Sequence, residues 1–169
     1  MAPAKRAHMR KLVPWYAWAL LVVLLDQLTK YWISASFDYG ESRAYGSFFN
    51  LVLTYNKGAA FSLLASAAGW QRGLFIAIAL AAIVLISVLL ARHAAEKLFC
   101  AALTLILGGA MGNVLDRIVL GHVVDFLDFH VGGWHWPAFN LADSAITVGA
   151  ALLIADSFRP RAGRAGAVR

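Results

Sequence analysis

Charges are spaced along this chain in a way that leaves long uncharged runs. Between Arg72 and Arg92 lie 19 uncharged residues, Gly73–Ala91, and between Lys97 and Asp116 lie 18 more, Leu98–Leu115. Nineteen helical residues reach about 28 Å, enough to cross the hydrocarbon core of a bilayer. Only Arg92–Lys97 separates the two runs, so they are expected to form a helical hairpin. Another span begins after Lys11, runs Leu12–Leu25 and continues through Asp26 and Lys30 to about residue 33. A fourth covers about 139–158, with Asp143 near its start. The pattern predicts an α-helical integral membrane protein with four transmembrane helices, at about 12–33, 73–91, 98–115 and 139–158. The whole chain, 1–169, reads as a single membrane-embedded domain with a disordered basic tail over about 160–169.

Two segments between the spans differ in character. Within Phe37–Trp70, the stretch Phe48–Tyr55 is rich in β-branched and aromatic residues and reads as a strand, with Gly58 as a turn residue after it. Asp116–Pro137 reads as a loop carrying Arg117, His122, Asp125, Asp128, His130, Trp134, His135 and Trp136.

Composition supports the membrane reading. Hydrophobic residues make up 61% of the chain and charged residues only 14%, too few to clothe a soluble domain of this size. The single cysteine, Cys100, cannot form an internal disulfide and reads as a packing residue in a span. Of the fifteen Lys and Arg, ten (Lys5, Arg6, Arg10, Lys11, Arg92, Lys97, Arg159, Arg161, Arg164 and Arg169) fall on one side of a four-span topology. By the positive-inside rule that side, with both termini, is cytoplasmic. The net charge of +6 is then a topology signal, and no nucleic-acid partner is expected. Trp15 and Trp18 at one boundary and Tyr31, Trp32 and Trp70 at the other suit interfacial belts. A rival reading makes the first span a cleavable signal peptide ending near Ser34 or Ser36; Asp26, Gln27 and Lys30 interrupt the approach to that site.

Polar groups inside spans are costly and therefore mark candidate function. Asp26 and Lys30 stand at i, i+4, acid first, which is the favourable order for a helical ion pair. They are either a structural pair or part of a site. Asn113, Asp116 and Arg117 share a face at the end of the third span, just after the small-residue pair Gly108 and Gly112. Asn140, Asp143 and Thr147 share a face at the start of the fourth, and Asp125 lies in the preceding loop. Two aspartates from separate segments, both at the outer boundary, suit a paired-carboxylate site. Crowding raises one pKa, so that the pair shares a proton; one member then activates water while the other polarises a carbonyl. Spacing does not prove the pairing, and Asp143 also reads as an ordinary helix N-terminal charge. Ser144 lies in no nucleophile elbow, the loop histidines show no HExxH spacing, and there is no phosphate loop. No metal and no cofactor is expected.

Five blocks then form a recognisable set: Asp26-Gln-Leu-Thr-Lys30, Tyr55-Asn-Lys-Gly-Ala-Ala-Phe61, Gly108-Gly-Ala-Met-Gly-Asn113 with Asp116-Arg117, Val123-Val-Asp-Phe126, and Phe139-Asn-Leu-Ala-Asp143-Ser144. In this order the chain resembles the signal peptidase II family of bacterial inner-membrane aspartic endopeptidases. The resemblance implies removal of signal peptides from diacylglyceryl-modified prolipoproteins, just before the lipidated cysteine. It implies Asp125 and Asp143 as the catalytic pair, and Asn56, Asn113, Arg117, Asn140, Asp26 and Lys30 as polar residues around the substrate. It also implies a small extracytoplasmic β-cradle, a short interfacial helix falling on Ala59–Trp70, and inhibition by globomycin. Membrane lipid is an expected partner. Two other classes fit parts of the pattern. A small four-span proton-coupled transporter would place an acid near the midplane, whereas these acids sit near span ends. A structural or assembly subunit would leave the clustered Asn, Asp and Arg unexplained.

Overall fold

The structure, a computed structural model, describes residues 3–58 and 69–159. Its element order is α1 (Pro3–Ser36), β1 (Ser42–Ala44), β2 (Phe49–Asn56), α2 (Trp70–Arg92), α3 (Lys97–Val119), β3 (Val123–Val131), β4 (Trp134–His135) and α4 (Leu141–Ser157). Among the described residues, three helices are long and apolar enough to cross a membrane: Met9–Ser36 within α1, Trp70–Arg92 and Lys97–Val119. Four were expected. Helix α4 has 17 residues, about 26 Å, and is shorter than the others because Asn140 caps it and Phe139 pairs with Leu127 of the sheet instead of extending the helix. The interfacial helix expected at 59–70 and the tail at 160–169 lie outside the described residues, apart from Gly69 and Trp70.

Burial divides the helices by role. In its most apolar window α3 is 56% buried, against 22% for α1 and 11% for α2, so α3 is the axis on which the others pack. Outward from it, α1 exposes Val13, Trp18, Leu20, Leu24 and Leu28, and α2 exposes Ile78, Leu80, Val84 and Leu85. Such continuous apolar surface suits lipid and not water. Inward, Ala19, Ile86, Leu90, Cys100, Leu103 and Leu107 form one core. The small-residue pair in α3 faces α1. A Cβ built on Gly108 would meet Val22 Cβ at 2.7 Å and the Ala19 carbonyl oxygen at 2.8 Å, and one on Gly112 would meet Asp26 Oδ2 at 2.5 Å. The backbones approach closely because no side chain stands between them.

A four-stranded antiparallel sheet, ordered β1-β2-β3-β4, sits at one end of the helices. Its apolar face closes over the end of α1, where Ile33 and Phe37 meet Leu53, Val124 and Phe126. Strand β3 falls where a loop was expected. Its residues alternate, with Asp125 on one face and Val124 and Phe126 on the other, and Val123–Phe126 are all buried. The pairing of β2 with β3 contains a bulge: Leu51 opposes Leu127, yet Thr54 opposes Asp125. Without that extra residue Leu53 would share Asp125's face and Asn56 would point to the other side, because a one-residue slip reverses every side chain.

The close approach of α3 to α1 yields a stability test. Gly108→Ala should destabilise the protein by about 1–3 kcal/mol through overpacking against backbone. Gly73→Ala in α2, where an added Cβ meets nothing within 4 Å, should leave thermal unfolding in detergent unchanged or raise its midpoint. Equal midpoints for the two variants would contradict the packing account.

Candidate active site

The two aspartates singled out by sequence reach one cavity by different routes. Asp125 projects from the middle of β3, and Asp143 from the first turn of α4. Both line a cavity of about 840 Å³ with Thr54, Tyr55, Asn56 and Lys57 of the β2 end, Asn113 and Arg117 of α3, and Trp136–Phe139. The wall continues down α4 through Ser144, Ile146, Thr147 and Val148.

Amides hold both carboxylates. Asn140 Nδ2 donates to Asp125 Oδ1 at 2.7 Å, and Asn56 Nδ2 donates to Asp125 Oδ2 at 3.1 Å. Asn113 Nδ2 donates to Asp143 Oδ1 at 2.7 Å. Asn140 is fully buried and does a second job: its Oδ1 accepts the Asp143 backbone N–H at 2.9 Å, capping α4. Asp143 is therefore both a first-turn helix acid and a cavity-facing carboxylate, and the two sequence readings of it coexist.

Arg117 spans from α3 to the segment after β2, donating to the Gly58 carbonyl at 3.1 Å and to its own helix at Asn113 O, 3.3 Å. Its guanidinium carbon lies 5.2 Å from the Phe75 ring centroid. Gly58 N in turn donates to Asn56 Oδ1 at 2.9 Å, so Arg117 and Asn56 brace the same turn.

Six of the eight sequence-predicted residues thus converge: Asp125, Asp143, Asn56, Asn113 and Arg117 on the cavity, with Asn140 directly behind it. Asp26 and Lys30 do not line it. They are buried, and Lys30 Nζ lies 2.8 Å from both Asp26 Oδ2 and Asp116 Oδ2. Gln27, which sequence reasoning does not single out, donates to Asp116 Oδ1 at 2.8 Å; its place beside Asp26 in the first matched block is the available signal.

The loop histidines go elsewhere. His135 Nδ1 lies 2.9 Å from both oxygens of Asp128, which also accepts from Asn50 Nδ2 at 2.8 Å. His130 stacks on His135 at 4.9 Å between centroids, and His122 lies tilted against Tyr55 at 4.1 Å. Among the described residues no three His, Cys, Asp or Glu converge to hold a metal ion.

Electrostatics act strongly on Asp125. Burial pushes its pKa from 3.8 up to about 7, and the charge of Asp143 adds to the rise. The hydrogen bonds from Asn56 and Asn140 and the charge of Lys30 oppose it without cancelling it. A carboxyl titrating near neutrality beside a second carboxyl can hold one shared proton and pass it on. That arrangement suits hydrolysis of a carbonyl compound at a membrane-embedded site.

Comparison with known proteins agrees. Residues 18–159 match the family described as "Signal peptidase (SPase) II", and the chain belongs to that family of aspartic peptidases. It is 64% identical over 148 residues to a lipoprotein signal peptidase of Paraburkholderia phymatum, covering 88% of this chain and 89% of that protein. It is 58% identical over 161 residues to one of Janthinobacterium sp. strain Marseille, covering 94% of this chain and 98% of the relative. A bacterial membrane enzyme solved by the in meso method at 2.3 Å resolution superposes with a TM-score of 0.78 at 31% identity, covering 86% of this chain and 88% of that one.

The raised pKa of Asp125 gives a signed prediction. In the fold the group keeps its proton to higher pH than in the unfolded chain, so the unfolded state binds fewer protons between about pH 4 and pH 7 and stability falls across that window. Asp125→Asn removes the titration. Its unfolding midpoint should fall less than the wild type's from about pH 5 to about pH 8, a relative gain on the order of 1–3 kcal/mol. Parallel curves would show that Asp125 is not held protonated by burial.

Proposed function

We propose that this protein is an endopeptidase that cuts the signal peptide from diacylglyceryl-modified prolipoproteins just before the lipidated cysteine, with Asp125 and Asp143 as its catalytic pair. One observation carries the reading: two carboxylates from different elements line one cavity, each fixed by an asparagine amide, and one titrates near 7. Membership of the signal peptidase II family supplies the substrate class.

The chemistry follows from the geometry. With one proton on the pair, the ionised carboxylate takes a proton from a water molecule as its oxygen attacks the scissile carbonyl carbon. The protonated carboxyl, assigned to Asp125, gives its proton to the carbonyl oxygen, and a neutral gem-diol forms without an acyl-enzyme. Collapse breaks the C–N bond. The amine leaves with the proton held by the first carboxylate, and the diol returns one to the second. Arg117 and the asparagines Asn56 and Asn113 offer N–H groups toward the same space and orient the peptide. Asp26 and Lys30 support the site from behind and do not touch substrate.

The membrane setting is read the same way. Helix α4 is the fourth span, matched to locally thinner lipid, as a 17-residue helix requires. Both termini face the cytoplasm of a bacterial inner membrane, and the cavity opens at its outer surface, where water is available and a lipid-modified substrate remains embedded. Globomycin-type inhibitors and membrane lipid are the corresponding partners.

Asp125→Asn and Asp143→Asn should each lower cleavage of a lipidated prolipoprotein by at least about a thousandfold while the protein still inserts. Activity in either variant would remove that residue from the pair. Arg117→Ala should lower kcat/KM by about 10- to 100-fold with folding intact, the loss expected for charge-assisted hydrogen bonds. A reporter fused after the last residue should be active only if it is a type that works in the cytoplasm; the opposite result would invert the topology.

A further inference from the structure

Behind the cavity lies a buried cluster that the proposed reaction does not use: Lys30 with Asp26 and Asp116. Lys30 Nζ lies 2.8 Å from Asp26 Oδ2, 2.8 Å from Asp116 Oδ2 and 3.0 Å from Asn113 Oδ1. An ammonium has three N–H donors, and all three are taken. The three recipients each lead to one of the reacting carboxyls. Asp26 Oδ1 accepts the backbone N–H of Ala142 at 2.9 Å, the residue just before Asp143. Asp116 Oδ2 accepts the backbone N–H of Val124 at 3.2 Å, the residue just before Asp125.

Asn113 is the third route and the most telling. An asparagine side chain can turn over, exchanging its oxygen and nitrogen. Here Oδ1 accepts from Lys30 and also from Asn140 Nδ2 at 3.2 Å, and an amide nitrogen in its place would face two donors. The ammonium thereby fixes the amide so that Nδ2 donates to Asp143 Oδ1. Turned over, Asn113 would set a carbonyl oxygen against that carboxylate.

We propose that Lys30 is a positioning residue for hydrolysis: it locks the Asn113 amide as a donor to Asp143, while its ion pairs with Asp26 and Asp116 hold the fold around that amide. The inference rests on the assignment of Asp125 and Asp143 as the reacting pair. A merely structural ion cluster would act on the fold alone. A positioning cluster acts on kcat through one named amide.

A double-mutant cycle separates the two, using the full-length protein in detergent micelles and a synthetic signal peptide with a diacylglyceryl cysteine. Lys30→Met should lower kcat by about a hundredfold with KM changed by less than about threefold. In an Asn113→Ala background the same substitution should cost less than about fivefold, because the amide it orients is gone. Full and equal losses in both backgrounds would overturn the proposal, as would a rise in KM with kcat unchanged. Lys30→Met/Asp116→Asn keeps the net charge of the cluster and serves as a second variant. If neither variant folds, Lys30 serves the fold and the proposal fails. Asp125→Asn and Asp143→Asn are assayed alongside: activity there refutes the underlying pair, whereas inactivity there with additive Lys30 and Asn113 effects refutes only the positioning role.

Discussion

Three charges are buried where the helices meet the sheet, and the rest of the structure is arranged around keeping them satisfied. Lys30, Asp26 and Asp116 are each at most 3% exposed. Removing such groups from water costs several kcal/mol apiece, and their mutual attraction roughly offsets that cost only when the remaining hydrogen bonds are also made. They are made. Gln27, the Ala142 and Val124 backbone N–H groups and the Asn113 amide complete the set. Such a cluster adds little net stability. Its effect is to impose a unique arrangement, because any shift of α1 against α3, of β3 against α3 or of α4 against α1 leaves a buried charge without its partner.

The lipid-facing parts obey a looser constraint. Apolar side chains on α1 and α2 gain as much from lipid as from one another, so neither helix needs an inward stripe. Close packing arises where small residues allow it, as at Gly108 and Gly112. Specific geometry is thus concentrated at one end of the bundle. There polar groups demand partners and the sheet's apolar face seals Ile33 and Phe37.

This division explains which parts can be read from sequence. The three long apolar helices follow from uncharged runs, and β2 from its β-branched and aromatic residues. Asp125 and Asp143 stand out because charge is rare in this chain. The Asp26–Lys30 pair is also visible at i, i+4, but its meaning is not. Lys30's other carboxylate, Asp116, is 86 positions along the chain, and nothing local tells a pair turned toward a substrate from one turned toward a buried acid. Strand β3 reads as loop because Asp125 and Asp128 break its hydrophobic run, although Val124 and Phe126 keep the two-residue alternation. The bulge opposite Asp125 depends on pairing and has no signature in either strand alone. The fourth helix is shorter than its apolar run because an asparagine needed behind the site also caps it.

Asn140 shows how stability and chemistry compete for one residue. Its oxygen caps α4, while its nitrogen lies within 3.2 Å of Asn113 Oδ1, Val124 O and Asp125 Oδ1. An amide nitrogen has two hydrogens, so three acceptors share them. The Asp125 carboxylate therefore receives less than full hydrogen-bond compensation for its burial, and its pKa stays near 7 despite two amide donors. A site built purely for stability would have given that carboxylate more donors and kept it ionised. Burial and the neighbouring Asp143 charge leave Asp125 able to hold a proton at neutral pH, and the two amide donors do not offset them. The fold bears a carboxyl that is expensive to ionise, and that reluctance is the property acid catalysis requires.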